Sequence, residues 1–97
     1  MKKNSQWMVI KVEDKGISTY SVVKGNKKLS IAGNDKFINA IPFTGGVAVA
    51  LENRTKKDIN IQWYIFDENG YLTKTCKTLR CVMEHVNTLN NENSLEI

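Results

Sequence analysis

Histidine and proline each occur once in this 97-residue chain, and cysteine twice. With His85 as the only imidazole, nucleophilic catalysis has one candidate pair, Cys81 and His85, neighbours at i,i+4 on a helix. That pair brings no oxyanion donor and no third orienting group, and as a metal site it offers two ligands where three or four are usual. The cysteines, Cys76 and Cys81, do not have the C-x-x-C spacing of redox or zinc motifs. On a helix they would stand ~140° apart, a poor geometry for a disulfide. They are expected as free thiols in a reducing compartment.

Long apolar runs are also missing. The longest is Val47 to Leu51, far below the ~20 residues that span a bilayer. No apolar leader follows Met1-Lys2-Lys3-Asn4-Ser5-Gln6, because Lys11 interrupts Trp7 to Val12 and Glu13-Asp14 follows. A cytoplasmic address without membrane association is the expectation. Gly45-Gly46 lacks the further glycines and the Lys-Ser/Thr of a phosphate-cradling loop. Asp67-Glu68 lies in a turn with a structural use. Catalytic residues, metals and cofactors are therefore not expected, and the chain reads as a non-enzyme.

The composition is globular, with 41% hydrophobic and 25% charged residues. The length suits one domain over 1–97, with a frayed N-terminus at 1–5 and a polar tail at 90–97. Net charge is +4, unevenly placed. Residues 1–36 hold eight lysines against three acids, while the remainder holds six basic residues against seven acids. A basic first part suits an acidic partner, although solvated hairpin tips and a frayed terminus are the simpler account of these lysines.

Period-two alternation marks Gln6 to Val12 as a strand, with Met8, Ile10 and Val12 on one face and Trp7, Val9 and Lys11 on the other. Asp14-Lys15-Gly16 turns the chain into Ile17 to Lys24, completing a hairpin. Gly25 to Lys28 turns it again into a short strand, Leu29 to Ala32. Gly33 to Phe43 admits either a short helix capped by Asn34 or an extended connection. Val47 to Glu52 alternates large with small, and the small face of Ala48 and Ala50 predicts close packing under another element. Ile59 to Phe66 is the strongest strand, with Ile59, Ile61, Trp63 and Ile65 on one face and Tyr64 and Phe66 on the other. Asp67-Glu68-Asn69-Gly70 is a hairpin turn whose Gly70 suits positive φ. From about Thr75, Leu72, Cys76, Leu79, Met83 and Val86 share one side at helical pitch. The segment is predicted as an amphipathic helix to about Leu89, with Leu79, Met83 and Val86 against the sheet and an Arg80–Glu84 pair outside.

Trp63-Tyr64-Ile65-Phe66-Asp67-Glu68-Asn69-Gly70-Tyr71-Leu72 resembles the hairpin of a choline-binding repeat. That family needs tandem copies to complete an aromatic cage, and this chain has one. Val47 to Asn53, continued through Gly70, is similar to the strand pattern of small bacterial immunoglobulin-like sandwiches, which imply no C-terminal helix.

The fold class expected is α+β, an antiparallel, hairpin-built sheet of about five strands packed on one C-terminal amphipathic helix. With Ile59, Ile61, Trp63 and Ile65 against the helix as core, Tyr64 and Phe66 point outward, and exposed aromatics mark an interaction surface. The expected contact residues are Tyr64, Phe66, Tyr71, Lys24, Lys27 and Lys28. They suit a small regulator or inhibitor, of the kind phages and mobile elements carry, that docks on a larger protein or on itself as a homodimer. The alternative is a single-stranded nucleic-acid binder, using aromatic stacking and the basic hairpin.

Overall fold

A computed structural model describes residues 6–95 of the chain, with side chains through Thr88. The expected frayed segment 1–5 lies outside the described residues, as do 96–97. The elements run β1 (Met8–Asp14), β2 (Ile17–Lys24), β3 (Lys27–Lys28), β4 (Asn39–Phe43), β5 (Gly46–Arg54), β6 (Ile59–Asp67), β7 (Leu72–Cys76) and α1 (Leu79–Leu95). The fold is α+β with antiparallel pairing and one C-terminal helix, as expected. The single five-stranded sheet is corrected: there are two sheets, ordered β1-β2-β3 and β4-β5-β6-β7.

Tight turns of the primed hairpin types drive the local pairing. Lys15 and Gly16 both have positive φ, giving a two-residue hairpin loop whose twist matches its strands. Gly25 supplies the positive φ that opens the next loop. Segment 33–43, for which either a short helix or an extended connection is expected, forms no helix: it starts in the Ala32-Gly33 turn and is extended in β4. Ile31 and Asn34 exchange backbone hydrogen bonds of 2.8 Å around Ala32-Gly33, and β4 begins at Asn39. Pro42 lies on β4, an edge strand of its sheet, where a missing N–H is tolerated.

The two sheets are joined by one crossing strand. Phe37 exchanges two 2.8 Å backbone bonds with Tyr20 of β2, and the next residue, Ile38, donates its N–H to the Ala50 carbonyl of β5 at 3.0 Å. The chain thus leaves one sheet and enters the other within two residues, the corner of a folded-over meander. The fold-over covers a central sheet that is apolar on both faces. One face packs Val47, Val49 and Phe66 against Trp7, Val22, Leu29 and Phe37 of the first sheet and its connections. The other packs Ala48, Ala50, Trp63, Ile65 and Cys76 against Val82 and Val86 of α1. The small Ala48–Ala50 face lies where close packing was predicted. The outward placing of Tyr64 and Phe66 is corrected: Phe66 is buried and Tyr64 half-buried, both between the sheets. On the other face Trp63 and Ile65 are buried as expected, but Ile59 and Ile61, nearer the start of β6, are 54% and 46% exposed.

Helix phase is corrected too. The apolar stripe was read from Leu72, but 72–76 is β7, and the helix starts at Leu79, capped by the Thr78 hydroxyl accepting from Cys81 N–H at 3.1 Å. Val82 and Val86 face the sheet, while Leu79 and Met83 are 46% and 42% exposed. Glycine and proline are absent after Leu79, and the helix runs on to Leu95 through most of the expected polar tail. Arg80 and Glu84 do pair, at 3.4 Å.

Cys76 and Cys81 are disulfide-bonded, with Cα atoms 5.8 Å apart. This overturns the free-thiol expectation. The helical-wheel argument fails because the two residues straddle a strand-to-helix corner, which brings their Cα atoms within ordinary bridging distance.

Two stability outcomes follow. Val82→Ala should cost about 1–3 kcal/mol, from lost burial and a cavity. Leu79→Ala, at a half-exposed site, should cost less than about 1 kcal/mol; denaturant unfolding of both variants orders them, and the reverse order would refute the phase. Replacing both cysteines by serine should cost about 2 kcal/mol, the loop-closure value for so short a span. Wild type should resist thiol labelling until reduced.

Candidate partner-binding surface

The first hairpin has two unlike faces. Trp7, Val9 and Val22 point to the second sheet. The opposite face, from register, carries Met8, Ile10, Val12 and Asp14 of β1 beside Val23, Ser21, Thr19 and Ile17 of β2. Ser21, at the middle of this face, is buried and Val23 half-buried, while the other aliphatic side chains along it are exposed. Met8 is 61% exposed, Ile10 45%, Val12 40% and Ile17 66%. Between Asp14 at the turn and Lys28, which pairs with Val23 at the far end, this face holds no charged residue. Ion pairs sit beside or beyond it: Lys11–Glu13 on the inner face at 3.4 Å, and Lys28–Asp35, also 3.4 Å. A contiguous aliphatic strip rimmed by charge is the make-up of a contact surface.

The expected site residues separate into three groups. Tyr64 and Phe66 belong to the interior. Lys24 is a structural latch: its ammonium donates to the Glu68 carbonyl and stands 5.7 Å from the Trp7 ring centroid. Lys27 and Lys28 are exposed and, with Trp7, Asn69 and Gly70, line a cleft of about 300 Å3. Tyr71, 70% exposed, follows Gly70 directly at that end of the molecule. The residues missed are Met8, Ile10, Val12 and Ile17. Their alternation was visible, but Trp7 and Val9 are also apolar, so the strand did not reveal which face would be covered.

The same end explains why Trp7 is inside. Its indole N–H donates to the Asp67 carbonyl at 3.0 Å, and Gly70, at φ +91°, lets the turn lie against the ring. The Asp67 carboxylate accepts from the N–H groups of Asn69 and Tyr71 at 2.9 and 3.0 Å, fixing that turn. A second apolar opening, about 360 Å3, lies between the start of α1 and the sheet, lined by Ile38, Ile61, Trp63 and Leu79 with Lys77 beside them.

Among the described residues no three His, Cys, Asp or Glu side chains come together as a metal site. Cys81, bonded to Cys76, is not a thiolate partner for His85. No described helix is long and apolar enough to cross a membrane. No protein family, no curated protein and no solved structure matches this chain.

Trp7→Ala should cost about 3–5 kcal/mol, since it empties a buried ring site and frees the Asp67 turn. Denaturant unfolding measures it; a cost below about 1 kcal/mol would show that the two hairpin ends are not latched together.

Proposed function

We propose that this chain is a small non-enzymatic binding domain that acts through a protein–protein surface, in the manner of a regulator or inhibitor of a larger partner. The observation that carries the reading is the outer face of the first sheet, where Met8, Ile10, Val12 and Ile17 lie in one exposed strip with charge only at its ends, Asp14 and Lys28. Burying such aliphatic side chains against a partner is favourable by roughly 25 cal/mol per Å2 removed from water. The Cys76–Cys81 bond supports an oxidising setting for that binding, against the cytoplasmic address expected from sequence. The protein-binding reading is favoured over the nucleic-acid alternative because, of the rings expected to stack bases, Phe66 is buried and Tyr64 half-buried between the sheets, leaving Tyr71 exposed.

The test uses the wild type and a Met8→Glu/Ile17→Glu variant as baits in an extract of the native source. These two side chains are the most exposed of the strip, so the variant should keep its fold. A protein should be retained by the wild type, tenfold less by the variant, and without nucleic acid. Retention should also change little between about 50 and 200 mM salt, whereas contacts to nucleic-acid phosphates would weaken steeply over that range. Equal retention by the two baits, or recovery of nucleic acid that salt releases, would overturn the reading.

A further inference from the structure

Among the described residues the outer edge of β1 is unpaired, and it is built differently from the edges of β4 and β7. β4 carries Pro42, and β7 is five residues long with a register shift in its pairing to β6. These are ordinary devices against edge-to-edge association. β1 is seven residues long and pairs with β2 in unbroken register.

Its open hydrogen-bonding groups can be assigned. A two-residue hairpin loop makes Asp14 and Ile17 a hydrogen-bonded pair. Alternation then assigns Val12–Thr19, Ile10–Ser21 and Met8–Val23 to the same class. The far side of β2 agrees: Tyr20 is bonded to Phe37, and the Val22 carbonyl accepts from Leu29 at 2.9 Å, so neither turns its groups to β1. The N–H and C=O groups of Val9, Lys11 and Glu13 therefore point to the open edge. Lys11 and Glu13 also present exposed side chains of opposite charge.

We propose that a second copy of this chain pairs with β1, antiparallel, across a two-fold axis at Val12. Lys11 of each chain then lies opposite Glu13 of the other, in hydrogen-bonded pairs, and Val12 meets its counterpart. A register centred on Lys11 would set ammonium against ammonium, and like charges directly opposite are unfavourable. A register centred on Ile10 sets Lys11 against Val9 and gains no ion pair. Charge selects the Val12 register. The two first sheets become one, and their outer faces run together, with Asp14 of each chain opposite Ile10 of the other on that face.

That surface matters for size, a point that rests on the function proposed above. A seven-residue strand pair covers roughly 24 Å by 10 Å. This is well short of the ~800 Å2 a side that a stable interface buries, and pairing doubles it.

Sedimentation equilibrium across the micromolar range tests the pairing. The wild type should self-associate. Lys11→Glu alone and Glu13→Lys alone should each weaken association about tenfold, because each sets like charges opposite at two places. An equal mixture of these two variants should restore it, the acids of one chain facing the lysines of the other. Lys11→Pro should abolish association while the hairpin survives, because this N–H is not used in bonding β2. A wild type that stays monomeric, a mixture no tighter than its components, or association that survives Lys11→Pro would overturn the proposal. Retention of a partner by the wild type but not by Met8→Glu/Ile17→Glu is a separate readout, so the edge and the outer face can fail independently.

Discussion

Phe37 and Ile38 belong to different sheets. The backbone of Phe37 is bonded to Tyr20, and the N–H of Ile38 is bonded to Ala50. This crossing turns a flat meander into two facing layers, and the other long-range features depend on it. The Phe37 side chain fills the space the fold-over creates, and is fully buried with Val22, Val47 and Val49 around it. At the other end of the first hairpin, the Trp7 indole and the Lys24 ammonium hold the Asp67–Gly70 turn, so the layers are tied at both ends. α1 covers the remaining apolar face of the second sheet.

What was legible in the sequence was local. β1, β5 and β6 show period-two alternation, and the turns of the hairpins carry Gly16, Gly25, Gly45 and Gly70, all at positive φ. The small side chains of Ala48 and Ala50 forecast a close neighbour. The direction of a strand face was not legible when both faces are apolar. β6 offers Trp63 and Ile65 to α1, and Tyr64 and Phe66 to the first sheet. Choosing one face as core left the other to be read as surface. The same ambiguity hid the outer strip of the first hairpin, since Trp7 and Val9 look as much like core as Met8 and Ile10 do. Helix phase failed for a different reason: Leu72 and Cys76 continue the apolar stripe by coincidence, and only the strand-to-helix corner shows where the helix begins.

The lysines show how little a charge tally says about their use. Lys24 is part of the inter-sheet latch, Lys11 and Lys28 make exposed ion pairs, and the exposed strip lies on the face with the fewest charges. Exposed pairs of this kind add only about 0–1 kcal/mol each to stability. Their placement matters more for orientation: charge borders the strip, and an approaching surface can seat without desolvating an unpaired ion.

The two tryptophans fall in separate cores. Trp7 lies between the sheets and Trp63 lies under the helix. Trp63 is the register partner of Cys76, so its indole stands beside the disulfide, while Trp7 has an ammonium near its ring. Each layer thus carries its own fluorophore in its own chemical surroundings. Disulfides quench neighbouring indoles, so reduction of Cys76–Cys81 is expected to brighten Trp63 beneath the helix and leave Trp7, at the seam between the sheets, unchanged.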